Sequence, residues 1–302
     1  MKVLIIGYGS IGRRHEEVLS KFTEVESIDV VTKQSIENKK TFNHINKVDD
    51  LESYDYFVIA SETNKHFEQL IYLEENLLDK TIFCEKPLFE LSKNLKIEKN
   101  QVFVGYVLRF HPLIQKLKTF LVNEKVLSVN VNCGQYLPTW RQNIDYRTSY
   151  SAKKDEGGGV LLDLSHEIDY IQWLFGVMTE IKSYQLKISD LEIDTDDLTT
   201  AIGKTDKEVI VNLSIDYISK ITYRRVLIHT LNDTFELDFI ANRLIQKDKF
   251  GLEQVYSFSN LERNYMFEEM HKSILSNKEN VCSYDEGAKV MNTISIIQEQ
   301  NK

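Results

Sequence analysis

Short apolar runs and amphipathic segments alternate through the first third of the chain. Lys2–Ile6 is an apolar run ended by Gly7, the pattern of a buried strand. Residues 11–21 place Ile11, Val18 and Leu19 on one side at helical spacing, which predicts a helix. Further β-type runs fall at 27–32, 56–60, 80–84 and 101–106, and a helix is predicted over 63–76. Strand, helix and strand in succession predict a parallel sheet with crossover helices.

The pattern changes after about residue 109. A helix over 112–121 leads into a strand at 126–133, where Val129, Val131 and Cys133 share one face and Asn130 and Asn132 the other. Residues 157–175 read as one helix stopped by Gly176. Five β-type runs follow at 180–188, 197–202, 208–215, 223–231 and 234–240, with turn signals at Asp206, Asn232-Asp233 and Asn242. They predict an antiparallel or mixed sheet. Two amphipathic helices, 261–276 and 284–298, come last, and neither an internal repeat nor a low-complexity linker interrupts the chain. The pattern change puts a soft boundary near 109–125, giving expected domains of 1–115 and 116–302.

Composition narrows the function classes. At 302 residues, 42% hydrophobic and 27% charged, the chain is long enough for two globular domains. A formal net charge of −9 repels nucleic acid and anionic lipid, so neither is an expected partner. The apolar run Val3–Ile6 is too short for a signal segment or a membrane span, and a cytoplasmic location is expected. Cys84, Cys133 and Cys282 are isolated and lack metal-like or redox-like spacing. They read as reduced structural thiols, and no metal site is expected.

Gly7-Tyr8-Gly9-Ser10-Ile11-Gly12 is G-x-G-x-x-G between a strand and a helix. The first glycine permits the tight turn, the second lets backbone approach a pyrophosphate, and the third allows close helix–strand packing. The phosphate then lies at the positive helix N-terminus, with Ser10 and Ile11 opening that helix. This predicts an NAD- or NADP-binding Rossmann domain. An acidic residue at the end of the second strand favours NAD, and a basic one accommodates a 2′-phosphate. Here the strand ends at Thr32-Lys33 while Asp29 lies inside it, so the expectation leans towards NADP. The competing reading of Lys33 is a solvated surface lysine.

Phe83-Cys84-Glu85-Lys86-Pro87 adds a second motif, and Gly157 to Gly176 a third, built as G-G-G…D…H…D. With the glycine turn and Thr63-Asn64-Lys65-His66, these segments and their spacing resemble the Gfo/Idh/MocA oxidoreductases, many of which act on sugars or cyclitols. The resemblance implies an α/β protein: an N-terminal Rossmann domain, then a C-terminal α/β domain with a large, open, mainly antiparallel sheet. It implies a catalytic lysine at Lys86 and a catalytic histidine at His166, facing each other across a cleft, with Asp163 in support. It also implies cofactor contacts from Ser61, Asn64, His66 and Glu85, and a cis peptide before Pro87. Two departures stand out. Glu62 occupies a position where the family usually has proline, which is expected to alter the nicotinamide-side loop. Asp163 and His166 are three apart rather than four, a spacing that still keeps both on one helix face, and His166 and Asp169 keep the family spacing.

Oxidising a secondary alcohol moves a hydride to the nicotinamide and a proton to a base; histidine suits the proton and a lysine can stabilise charge on the reacting oxygen. A second cluster, Tyr136, Trp140, Arg141, Tyr146 and Arg147, falls in a loop. Aromatic faces suit sugar rings and arginine suits carboxylate or phosphate, so an anionic sugar or nucleotide sugar is an expected substrate. A surface loop at an oligomer contact is the competing reading. Tyr106, Arg109 and His111 match a family segment and are candidates for lining the cleft; Tyr106, Arg109 and Asp169 are further candidates for contact with substrate. The leading expectation is an NAD(P)-dependent dehydrogenase or reductase acting on a sugar-like alcohol or ketone. An imine or enone reductase on the same fold and a non-catalytic NAD(P)-binding regulator are the alternatives. A homodimer or homotetramer is expected, because an open sheet face needs cover.

Overall fold

The computed structural model describes residues 1–37, 39–141, 143–258 and 261–301. Strands are numbered β1–β15 and helices α1–α7 along the chain. Two compact units form, one from Met1–Val107 with Glu262–Ala288, the other from Leu108–Leu261 with Lys289–Lys302. The expected single boundary at 115/116 therefore gives way to a first unit that ends at Val107 and regains a segment late in the chain. That segment returns because its helix α6 (Tyr265–Leu275) packs on α1 (Ser10–Leu19), and its strand β15 (Cys282–Ser283) pairs with β6 (Gln101–Val104).

The first unit is a seven-stranded sheet in the order β15-β6-β5-β4-β1-β2-β3. Its other strands are β1 (Lys2–Ile6), β2 (Ser27–Val31), β3 (Thr41–Phe42), β4 (Tyr56–Ile59) and β5 (Thr81–Cys84), all paired in parallel. Val3 to Ile6 and Tyr56 to Ile59 are at most 1% exposed, which is why these strands read as unbroken apolar runs rather than alternating ones. Helix α1 buries Gly12, His15, Val18 and Leu19, so His15 takes the inward place that spacing suggested for Ile11, which is half-buried. Helix α2 spans Thr63–Asn76.

The second unit carries an eight-stranded sheet ordered β14-β13-β12-β11-β7-β10-β9-β8. In chain order its strands are β7 (Val126–Gly134), β8 (Met178–Leu186), β9 (Leu198–Thr205), β10 (Ile210–Asp216), β11 (Tyr223–Thr230), β12 (Asp233–Asp238), β13 (Arg243–Asp248) and β14 (Glu253–Ser257). The β7–β10 pair is parallel and every other pair antiparallel, so the sheet is mixed. Period-2 alternation sends Val129, Val131, Val211, Leu213, Val226, Ile228, Phe235 and Leu237 to one face, where none is more than 2% exposed. Asn130, Asn132 and Asn212 lie on the other face, beside exposed Ile202 and Tyr184. Strands β13 and β14 escaped the sequence pattern because β14 is a solvated edge of mostly exposed residues. Helix α3 spans Pro112–Leu121 and α7 spans Tyr284–Glu299.

The single helix expected over 157–175 is two. Helix α4 (Val160–Asp163) ends where Leu164 adopts φ −98°, ψ 28°, and α5 (His166–Phe175) restarts two residues later. Across the joint the Ser165 and Glu167 N–H groups reach back only three residues, to Leu162 and Leu164, which breaks the α-helical ladder. Asp163 and His166 thus sit on either side of a helix break rather than on one helix face. All three cysteines are buried. Among the described residues no helix is long and apolar enough to cross a membrane, and no acidic, histidine and cysteine side chains gather as for a metal ion.

The two sheet faces differ in what they cost to disturb. Phe235→Ala should destabilise the protein by about 3–5 kcal/mol, while Asn212→Ala should stay within about 0.5 kcal/mol, both read from urea midpoints; equal losses would show that the buried face is assigned wrongly.

Candidate active site

The glycine turn separates three roles. Gly7 holds φ +96°, and a Cβ there would come within 2.5 Å of the Ser61 backbone. A Cβ on Gly12 would come within 2.2 Å of the Gly7 carbonyl oxygen, whereas a Cβ on Gly9 meets nothing within 4 Å. Gly7 and Gly12 are therefore packing glycines, and the space over Gly9 is open. The first α1 backbone bond joins the Arg13 N–H to the Gly9 carbonyl at 3.1 Å. The N–H groups of exposed Ser10, half-buried Ile11 and Gly12 lie ahead of that ladder, at the end of the helix that attracts phosphate. The turn fits a dinucleotide.

At the end of β2, Asp29 is engaged within the unit, accepting the Tyr54 hydroxyl at 2.5 Å. Thr32 is 9% exposed; its N–H donates to the Phe42 carbonyl at 2.8 Å and its hydroxyl accepts the Gln34 N–H at 3.2 Å. Lys33 is exposed. Arg13 donates to the Gln34 side-chain oxygen at 2.9 Å and stacks 5.3 Å from the Tyr8 ring centre. Two cations, Arg13 and Lys33, thus flank the strand end.

Strand β5 delivers Glu85-Lys86-Pro87, and the Lys86–Pro87 peptide is cis. Between Ile82 and Phe89 every residue is buried except Lys86, so the fold presents that side chain alone. Glu85 is 8% exposed, and its carboxylate faces His15 Nε2 at 2.8 Å and accepts the Lys86 N–H at 3.0 Å. His66, expected to contact cofactor, is 1% exposed and faces inward. Its Nε2 lies 3.1 Å from the Ser61 carbonyl and its Nδ1 lies 3.2 and 3.3 Å from the Pro87 and Leu88 carbonyls. With both nitrogens turned to backbone, His66 ties the Ser61 loop to the Pro87 turn and leaves no nitrogen facing a ligand. The Ser61 hydroxyl donates to Gln69 at 2.7 Å, and Asn64 is exposed on the first turn of α2. Glu62 holds φ −65°, the value a proline would impose, so the departure from the family pattern leaves that backbone angle unchanged.

In the second unit, residues 157–170 are buried except His166, which opens α5. Asp163 is 4% exposed; its Oδ2 accepts the Tyr217 hydroxyl at 2.6 Å, and the Tyr150 hydroxyl bonds to the same carboxylate. That carboxylate pushes the Tyr150 hydroxyl up, with burial adding to it, while burial first and Asp163 second raise Tyr217. The Trp140 ring meets Tyr217 edge-on at 5.0 Å, and the Arg141 guanidinium lies 5.3 Å from the Tyr150 ring centre. Trp140, Arg141 and Tyr146 line a small pocket with Leu137, Ile144, Ser149 and Ser151. Ser151 is fully buried.

Several expected substrate contacts take other work. Arg147 forks onto Asp145 at 2.7–3.0 Å and reaches Glu192 at 3.2 Å, so its charge is already balanced and it lies outside that pocket lining. Arg109 and Asp169, each 1% exposed, form a buried pair in which Nε and Nη2 grip the carboxylate at 2.7–3.2 Å. His111 is buried, its Nδ1 accepting the Leu113 N–H at 3.3 Å to cap α3 while Nε2 meets Asn242 Oδ1 at 3.2 Å. Tyr106 is 1% exposed. These four belong to the interior. Tyr150 and Tyr217 were missed; Tyr150 lies beside the aromatic loop cluster, and Tyr217 stands one residue past the end of β10, where strand ends present side chains to ligands.

Comparison with known proteins agrees with this architecture. Residues 1–106 match the family described as the oxidoreductase family, NAD-binding Rossmann fold, and residues 124–236 match the Gfo/Idh/MocA C-terminal domain. The chain belongs to the Gfo/Idh/MocA family. It is 26% identical over 236 residues to glucose-6-phosphate 3-dehydrogenase of Bacillus subtilis (strain 168), a match covering 70% of this chain and 66% of that protein. The chain thus spans about two thirds of that relative, and matches to two further curated relatives span 35% and 39% of their lengths. Its fold resembles levoglucosan dehydrogenase in complex with NADH, with a TM-score of 0.84 at 16% identity over 99% of this chain and 96% of the other. It also resembles UDP-N-acetylglucosamine 3-dehydrogenase from Acidithiobacillus ferrooxidans, with a TM-score of 0.76 at 16% identity over 100% and 97% of the two chains.

The Arg109–Asp169 pair gives a direct check on its structural role. Asp169→Ala leaves a buried guanidinium without its carboxylate and should cost about 3–5 kcal/mol in denaturant midpoints. The double change Arg109→Met with Asp169→Leu should recover most of that loss; a double variant as unstable as the single one would contradict the reading.

Proposed function

We propose that the protein is an NAD(P)-dependent dehydrogenase or reductase acting on a secondary alcohol or ketone of a sugar-like substrate. The observation that carries the proposal is shared by both units: two otherwise buried runs, 82–89 and 157–170, each leave one polar residue accessible, Lys86 and His166. A dinucleotide held by its pyrophosphate at the glycine turn would supply, through its nicotinamide, the acceptor or donor of a hydride. Lys86 donates a hydrogen bond to the reacting oxygen and stabilises its developing charge. His166 takes up or supplies the hydroxyl proton. Asp163, fixed by the hydroxyls of Tyr150 and Tyr217, is an acceptor held in one orientation for the reacting group.

The substrate class is an anionic sugar, a sugar phosphate or a nucleotide sugar. Support comes from Arg141 in an aromatic-walled pocket, while Arg147 is neutralised by Asp145 and Glu192. The curated relative that acts on glucose 6-phosphate and the structural neighbour that acts on a UDP-sugar are both of this class. For the cofactor, Arg13 and Lys33 beside the end of β2, with Asp29 occupied by Tyr54, support NADP over NAD. Exposed Tyr184 and Ile202 on the uncovered face of the second unit's sheet support a homo-oligomer.

The test is a panel of sugars, sugar phosphates and nucleotide sugars, followed by absorbance of the reduced cofactor. Lys86→Met and His166→Asn should each lower kcat by roughly 100-fold or more while cofactor still binds. Arg141→Ala should raise KM for the anionic substrate about 10-fold, and Arg147→Ala should leave it within about 2-fold. Lys33→Glu should move cofactor preference towards NAD by about 10-fold. Full turnover in Lys86→Met would remove the catalytic assignment, and equal KM for neutral and anionic sugars would remove the substrate class.

A further inference from the structure

Behind the Lys86 turn, the first unit buries four polar side chains in a row. The Tyr56 hydroxyl on β4 lies 2.8 Å from His271 Nδ1 on α6. His271 Nε2 lies 2.8 Å from His15 Nδ1 on α1. His15 Nε2 lies 2.8 Å from Glu85 Oε1, and Glu85 Oε2 accepts the Lys86 N–H at 3.0 Å. Tyr56, His15 and His271 are all fully buried, with Phe83 and Phe267 packed against the His15 ring. None of the three is explained by the reaction above, and two buried imidazoles are costly to leave unsatisfied.

Counting protons gives the row a direction. A neutral imidazole has one N–H and one acceptor nitrogen, and an ionised carboxylate only accepts. The three links need three protons, and the Tyr56 hydroxyl and the two imidazoles supply three. They fit when Tyr56 donates to His271 Nδ1, His271 Nε2–H donates to His15 Nδ1, and His15 Nε2–H donates to the Glu85 carboxylate. Reversing the row would require a protonated Glu85 and would leave the Tyr56 hydroxyl proton without an acceptor. Burial pushes His271 well below the usual histidine range, which keeps it neutral.

We propose that Tyr56, His271 and His15 form a one-way hydrogen-bond relay that positions Glu85 and, through it, the Lys86 backbone. They are positioning residues, not catalytic ones, since none reaches the surface. The relay joins α6, which returns late in the chain, to the Lys86 turn, so the late segment 262–288 completes the setting of that turn as well as covering the sheet. The proposal rests on Lys86 as the reacting residue.

Two measurements test it separately from that reading. In protein labelled with ¹⁵N-histidine, both His15 and His271 should show a protonated Nε2 and an unprotonated Nδ1; a protonated Nδ1 on either would overturn the relay whatever Lys86 does. In turnover, His271→Leu should lower kcat by roughly 10-fold or more with KM for substrate and cofactor within about 2-fold, because the reacting group is misplaced while the groups that bind substrate and cofactor stay in position. His271→Gln, which keeps a donor towards His15 and an acceptor towards Tyr56, should restore most of kcat. A folded His271→Leu enzyme with unchanged kcat, or a Gln variant as slow as the Leu variant, would overturn the proposal. Full turnover in Lys86→Met together with the expected tautomers would instead overturn the role of Lys86 and leave the relay standing.

Discussion

The close approach of the Gly7 carbonyl oxygen to Gly12 is the constraint on which the rest of the first unit depends. A side chain at residue 12 would meet that oxygen at 2.2 Å, so helix α1 can press against the end of β1 only because residue 12 has no Cβ. The same closeness places the N-terminus of α1 over the open space at Gly9, and it carries His15 into the interior three residues later. From there His15 reaches Glu85, and Glu85 reaches the Lys86 N–H. One steric condition thus sets both the dinucleotide seat and the orientation of the turn bearing Lys86.

Polar groups in this protein divide into those buried in matched sets within one unit and those that interrupt a buried run or line a pocket. Arg109 with Asp169, Arg224 with Glu167, and His66 with three carbonyls are matched within their own units. Such groups hold elements together, since an ion pair or imidazole buried without a partner would cost several kcal/mol. Lys86 and His166 interrupt buried runs, and Arg141 lines a pocket. The proposed chemistry falls to that second group.

Much of the fold was legible because its strands are buried on both faces or alternate cleanly, as in Val3–Ile6 and Val129-Asn130-Val131. The glycine turn and the Glu85-Lys86-Pro87 element were legible for a different reason: their residue types are set by local geometry. What escaped depends on contacts between distant residues. His15 reads as one more polar residue of an amphipathic helix until His271, which is 256 positions away, is placed beside it. Arg109 and Asp169 look like ligand-binding charges until the fold brings them together, and Arg147 until Asp145 and Glu192 close around it. The break between Asp163 and His166 is set by backbone angles at Leu164, a residue that continues a helix in most settings. Edge strand β14 carries little pattern because solvent covers it.

The central claim is that a nicotinamide dinucleotide occupies the open space at Gly9, and Gly9→Val tests it most directly. Residue 9 has φ −76°, an angle valine adopts, and nothing lies within 4 Å of its Cβ position. Calorimetric titration of NADH and NADPH into the wild-type chain and this variant should show binding only in the former, with melting midpoints of the unliganded proteins within about 2 °C of each other. A Gly9→Val protein that binds either dinucleotide as tightly as the wild type would contradict the account.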